Sequence, residues 1–242
     1  MKLEKYTCIN CGNPIGELCK KYSETVLKLV NCVKCKNVAD KYIEYDIIIV
    51  IIDLILLRKE AYRHILYNTD FQSHWKLAVM LQMMEVYSEW ILTSKKKYNT
   101  ASYVYSAGDV QLYMLSLRVI FRTLCSLLII LLLTIVYNKI KKQSNSWGFL
   151  KTVWKAMILA NFGWFLLLPS LIWDNSIQEF HLTFVSLYTT LSQLLAYTVV
   201  CNCVKIWSIV VIVLAYSCKM FSNQLYDVLY YKTINNYIYF FE

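Results

Sequence analysis

The sequence predicts a mainly α-helical membrane protein with a small cysteine-bearing unit near its N-terminal end. Residues of the AVILMFWYC set fill 58% of its 242 positions, against about 45–50% in soluble proteins even with glycine counted. Charged residues supply 17% where about 25% is usual, and mean hydropathy is +0.42. So much apolar surface with so few charges cannot be hidden inside a soluble monomer of this size. That excludes a soluble globular domain and a disordered chain. The apolar residues also gather into long runs in the second half, whereas five of the nine cysteines lie within the first forty residues.

The charge balance argues against nucleic acid as a partner. Lys and Arg number 25 against 16 Asp and Glu, a formal +9, but the excess is spread over both halves and much of it flanks apolar segments. Cations in those places meet lipid headgroups; a nucleic-acid binder concentrates them on one soluble face.

Residues 1–70 form the first expected unit. Met1-Lys2-Leu3-Glu4-Lys5 runs straight into cysteines with no apolar stretch of signal-peptide type. Cys8-x-x-Cys11 and Cys32-x-x-Cys35 make two matched knuckles separated by 20 residues. This is the spacing of a four-thiolate zinc site, each knuckle giving two sulfurs to one tetrahedral ion. Gly12 follows the first pair, where the turn around metal-bound sulfur needs a permissive backbone. The expectation is one structural zinc ion in a ribbon over about 6–40, with disulfides or uncommitted thiols as the alternatives. Cys19 falls outside the pattern.

Beyond the ribbon, the short apolar run 45–57 suits an interfacial helix better than a span, which needs about 20 residues. If residues 45–68 are one helix, Asp46, Asp53, Glu60 and His64 fall within about 40° of one another. With Arg63 beside them they form a candidate stripe for lipid headgroups or a partner. The plainer alternative makes Asp46 an N-cap, Glu60–His64 an i,i+4 pair and Asp53 a group bonded within the fold. A catalytic use of Asp46, Asp53 or His64 is weaker, because no nucleophile or metal-ligand partner converges on them.

Residues 71–109 read as an amphipathic helix over 71–93, with Lys76, Glu85 and Glu89, followed by a basic linker at Lys95-Lys96-Lys97. Residues 110–242 read as the membrane region, with three to four spans at about 119–137, 152–173, 182–200 and 203–220. Arg118 and Arg122 stand at the start of the first. The last two are split at Cys201-Asn202-Cys203-Val204-Lys205, since 39 apolar residues are too many for one span. The tyrosine-rich tail from Tyr226 is expected at the interface. His74, His181, Cys125 and Cys218 read as packing or interfacial residues, and Lys155 and Lys205 as snorkelling cations. Sidedness is in conflict. Reduced thiolates place the N-terminal unit in the cytosol, and so does charge for the loop bearing Lys139, Lys141, Lys142 and Lys151, yet one intervening span forbids both.

Cys8-Ile9-Asn10-Cys11-Gly12, Cys32-x-x-Cys35, Asp40 to Asp46, Ile51-Ile52-Asp53-Leu54-Ile55-Leu56-Leu57 and Ala61 to Asn68 resemble, in that order, the Arv homology domain. That domain defines the Arv family of endoplasmic-reticulum sterol-homeostasis proteins. The resemblance covers about residues 6–70 and thins beyond to an outline of several spans. The family often has proline after the aspartate matching Asp46, and this chain has Ile47. The resemblance implies a non-enzymatic, multi-pass protein of the endoplasmic reticulum membrane that moves or distributes sterol and other membrane lipids, with effects on sphingolipid metabolism. It also implies a contrasting role, as an adaptor for glycosylphosphatidylinositol-anchor enzymes such as the N-acetylglucosaminyl transferase subunits.

Overall fold

The computed structural model describes residues 6–21, 27–70, 74–99, 108–142, 146–168, 179–201, 203 and 205–241. Among the described residues the chain is mainly helical, and strands occur only in the cysteine-bearing unit. There β1 (Tyr6–Thr7) pairs antiparallel with β2 (Pro14–Ile15), and β3 (Cys19–Lys21) with β4 (Leu27–Leu29). Each cysteine pair sits at a hairpin tip: Tyr6 faces Ile15 around the first, and an isolated Asn31–Val38 bridge closes the second.

Residues 45–68 are not one helix. α1 (Ile47–Ile55) begins after Asp46, which holds the extended N-cap geometry without a side-chain cap bond. It ends in a Schellman turn: the Arg58 N–H donates to the Asp53 carbonyl, the Leu57 N–H donates to the Leu54 carbonyl, and Leu57 sits at φ 56°. The chain then reverses into α2 (Lys59–Arg63) and a π-helical turn at His64–Asn68. The expected stripe is therefore split. Asp46 lies exposed at one end of α1, Asp53 is buried, and Glu60 and His64 belong to the second arm.

α3 (His74–Asn99) continues through the expected break at 93–99, and α4 spans Gly108–Ile140. The expected span at 152–173 is instead α5 (Trp147–Ala160), only 14 residues, running into a 3₁₀ turn at Asn161–Leu166. This turn packs closely on the next helix: a Cβ on Gly163 would lie 2.6 Å from Thr189 and Tyr188 side-chain carbons, so only glycine fits. Residues 169–173 of that expected span fall outside the described residues. α6 (Glu179–Cys201) and α7 (Lys205–Phe241) follow, split at the expected place. Three helical stretches among the described residues are long and apolar enough to cross a membrane: Leu112–Ile140, Phe180–Cys201 and Lys205–Tyr226.

The contacts order the helix ends. Tyr137 stacks on Trp207 at 5.2 Å, while the Tyr226 hydroxyl donates to the Met114 carbonyl, so α4 and α7 run antiparallel. Tyr197 of α6 bonds Thr134 of α4. Leu66 and Tyr67 pack into one core with Cys201, Cys203 and Trp207, and that core continues through Tyr42, Leu54 and Tyr62 to Met157 and Val211. The cysteine-bearing unit thus shares its core with the helices at the end where α4 and α6 finish and α7 begins.

Candidate metal centre

The two knuckles repeat one backbone design. In the first, the Gly12 N–H donates to the Cys8 carbonyl at 2.9 Å and the Cys8 N–H to the Asn13 carbonyl at 2.8 Å. In the second, the Lys36 N–H donates to the Cys32 carbonyl at 2.8 Å and the Cys32 N–H to the Asn37 carbonyl at 2.8 Å. Gly12 (φ 75°) and Lys36 (φ 60°) are both left-handed, so each chain turns back around its own pair of sulfurs. The knuckles are joined by the Ile9 N–H donating to the Ala39 carbonyl and the Asn10 amide donating to the Val38 carbonyl.

The four Sγ atoms lie within 4.8 Å of one another. Across the knuckles, Cys8 and Cys35 are 3.7 Å apart and Cys11 and Cys32 are 3.6 Å apart. Four sulfurs bonded tetrahedrally at about 2.3 Å to one ion lie about 3.8 Å apart, so this set fits a metal ion. A disulfide needs about 2.05 Å, and all four cysteines are free. Burial pushes the Cys8 thiol up to about 12. Backbone N–H groups, that of Cys35 foremost, draw Cys32 down to about 7. These N–H groups are donors that stabilise thiolate in a four-sulfur site.

A second layer clamps the knuckles to the helical arm. Arg63 donates to the carbonyls of Ile9 (2.8 Å) and Asn10 (2.6 Å), inside the first knuckle. Asp40 is fully buried and accepts from the Tyr42 N–H (3.0 Å) and the Asn68 amide (2.6 Å), while His64 Nδ1 lies 2.7 Å from its Oδ2. Asn68 also bonds the Thr7 backbone in both directions. The π-turn makes this possible: its wider winding aims both His64 and Asn68 at Asp40. Asp53 is held by the Tyr42 hydroxyl at 2.7 Å and by Arg58 at 3.3 Å. Burial and the Asp53 carboxylate keep the Tyr42 phenol well above its ordinary pKa, as a donor.

Of the candidate stripe, Arg63, His64 and Asp53 therefore face inward as structural partners. Asp40, Tyr42 and Asn68 are further partners in this clamp that periodicity alone does not find; the one sequence signal was their place within the matched family segments. What faces outward is apolar. Ile47 is 74% and Ile48 65% exposed, with Ile51, Ile52 and Leu56 also exposed, so α1 offers a face that water does not favour.

A family model described as the Arv1-like family matches residues 7–197. The human protein named Protein ARV1 is 31% identical over 201 residues, covering 82% of this chain and 73% of its own. The mouse protein of that name is 30% identical over 210 residues, 86% and 78% of the two chains. The Candida albicans Protein ARV1 reaches 47% identity over 62 residues, 25% of this chain and 21% of its own. No solved structure matches.

Proposed function

The chain belongs to the Arv1-like family, and from that membership we propose that it moves or distributes sterol at the endoplasmic reticulum membrane. Membership supports a role in sterol and lipid homeostasis; sterol transport, with its effect on sphingolipid balance, is the finer reading offered here. The ion is zinc. With all four positions taken by sulfur, it holds the fold and leaves no open position for chemistry. The role is that of a non-enzymatic lipid handler.

The observation that carries this reading is the apolar face of α1, held rigid by the clamp behind it. The metal fixes the knuckles, Arg63 and Asp40 fix the arm to the knuckles, and the arm presents Ile47, Ile48, Ile51 and Ile52 to the outside. Such a face seats in the headgroup–acyl boundary. Beside it the Tyr188 hydroxyl donates to the Ile55 carbonyl and Tyr62 bonds Ser192, tying the arm to α6.

The test is the pair Cys8→Ser and Cys32→Ser beside Ile48→Asn/Ile52→Asn. The cysteine variants lose one equivalent of zinc and, in cells relying on this protein, leave sterol held in the endoplasmic reticulum. The isoleucine variant keeps its zinc and loses the same function. Normal sterol distribution at normal abundance in both would overturn the reading.

A further inference from the structure

We propose that α6 and α7 form a lateral slot for a lipid with a small, uncharged hydroxyl head. This deepens the lipid reading above and rests on its premise that these helices stand in a bilayer. A groove of about 520 Å³ opens between the two helices, lined by Leu182, Thr183, Ser186, Leu187, Thr190 and Tyr216. Leu187 and Tyr216 are exposed on the outer surface of their spans, so the groove opens toward acyl chains.

Ser186, Thr190 and Tyr216 also line a second, inner cavity of about 50 Å³, so the two spaces adjoin across these three side chains. The wall of this cavity is half polar: Thr123, Ser126, Asn161, Gln193, Glu85 and Lys219 border it beside Leu127, Ile130, Met157 and Trp164. A polar recess behind an apolar groove between spans matches an amphiphile, head inward and hydrocarbon outward.

Charge selects the head, and the inner cavity has room for a hydroxyl with a water. Glu85 is bonded by Arg122 at 2.7 Å and by Lys219 at 2.8 Å, and Arg122 also pairs with Glu89. Two carboxylates and two cations cancel, so an anionic head would have to break the Lys219–Glu85 pair. A hydroxyl breaks nothing, because it donates and accepts alongside the side-chain hydroxyls already there. Sterols, diacylglycerols and ceramides share this head chemistry.

The experiment uses full-length protein in nanodiscs with three photoactivatable diazirine probes: a sterol, a diacylglycerol and a phosphatidic acid. Adducts of the sterol, the diacylglycerol or both map to 182–190 and Tyr216, at least tenfold above phosphatidic acid. Ser186→Phe and Thr190→Trp, which fill the groove, lower that labelling at least tenfold while zinc content and elution profile stay unchanged. A Ser186→Ala control, which fills nothing, labels normally. Equal labelling by phosphatidic acid, or labelling unchanged in both filled variants, overturns the slot. Sterol distribution in cells separates the two readings. If labelling does not follow the slot while Cys8→Ser disturbs sterol distribution, the slot fails and the proposed function stands. If labelling follows the slot while no variant disturbs sterol, the slot stands and the proposed function fails.

Discussion

At Lys36 a residue with a full side chain occupies the left-handed turn that Gly12 occupies in the twin knuckle. That conformation costs an L-residue roughly 1–2 kcal/mol, partly offset by the greater unfolded-state entropy of glycine, about 0.5–1 kcal/mol. Lys36→Gly should therefore stabilise the metal-bound unit by about 0.5–1 kcal/mol. Gly12→Ala should destabilise it by about 1 kcal/mol through strain alone, since the new methyl would meet Arg63 only at 3.8 Å, an ordinary contact. Thermal unfolding of the zinc-loaded protein reads both, and equal effects of one sign would show that the knuckles are not equivalent. Asp40 carries a larger burden. Its buried carboxylate satisfies donors from Tyr42 and Asn68 and pairs with His64, and Asp40→Asn puts an N–H₂ where a second acceptor stood. A loss of about 2–4 kcal/mol follows, with zinc stoichiometry retained. A change below about 0.5 kcal/mol by denaturant titration would show that the clamp contributes nothing to stability.

Among the elements, what could be read from the chain depended on how local the causes are. Four cysteines in two i,i+3 pairs announce themselves, because each knuckle is a closed local turn. The α6–α7 split was legible from the length of the apolar run and its polar interruption. The end of α1 was not, because its Schellman turn places Leu57 in a conformation usually marked by glycine. The clamp was hidden as well: Asp40 meets partners 24 and 28 residues away, and Asn68 meets Thr7 across 61. One consequence belongs to this scale. With Asp53 and His64 turned inward, α1 contacts its surroundings through isoleucine, so its outer face should lie in lipid. An environment-sensitive fluorescent amino acid at Ile48 should emit blue-shifted in nanodiscs, while one at Val33, 94% exposed on the second knuckle, emits as in water. Water-like emission from position 48 would mean that α1 stands clear of the bilayer.

For the whole molecule the decisive element is α3, which buries a carboxylate and exposes a largely apolar face. Trp75, Val79, Met80, Met83 and Tyr87 are exposed along with Lys76, while Glu85 and Ser88 are buried beside Leu81 and Val86. Glu85 finds Arg122 and Lys219, 37 and 134 residues away, on two of the spans. Averaged hydropathy could not reveal this, since it counts the carboxylates without their partners. An apolar outer face over a buried ion cluster is what a helix in lipid needs, and the 26 residues of α3 extend about 39 Å, beyond the roughly 30 Å of a hydrocarbon core. Its start lies near α5, with the His74 ring 5.0 Å from Trp154, and its middle meets Arg122 and Lys219. α3 therefore leads away from the cysteine-bearing end and α4 returns to it. A crossing by α3, which is not among the three helices apolar enough to span by composition alone, would put two spans between the knuckles and the basic loop of Lys139, Lys141, Lys142 and Lys151 and so place both on one face, which removes the conflict over sidedness. Glycosylation acceptor sites inserted before residue 6 and within 143–145 should both stay unmodified in microsomes, while one within 100–107 is modified. Opposite outcomes for the first two sites would mean that α3 does not cross. Glu85→Leu adds an energetic check: it leaves Lys219 and half of Arg122 unpaired at depth, and should lower stability by about 3–5 kcal/mol, whereas a surface-lying α3 would tolerate it.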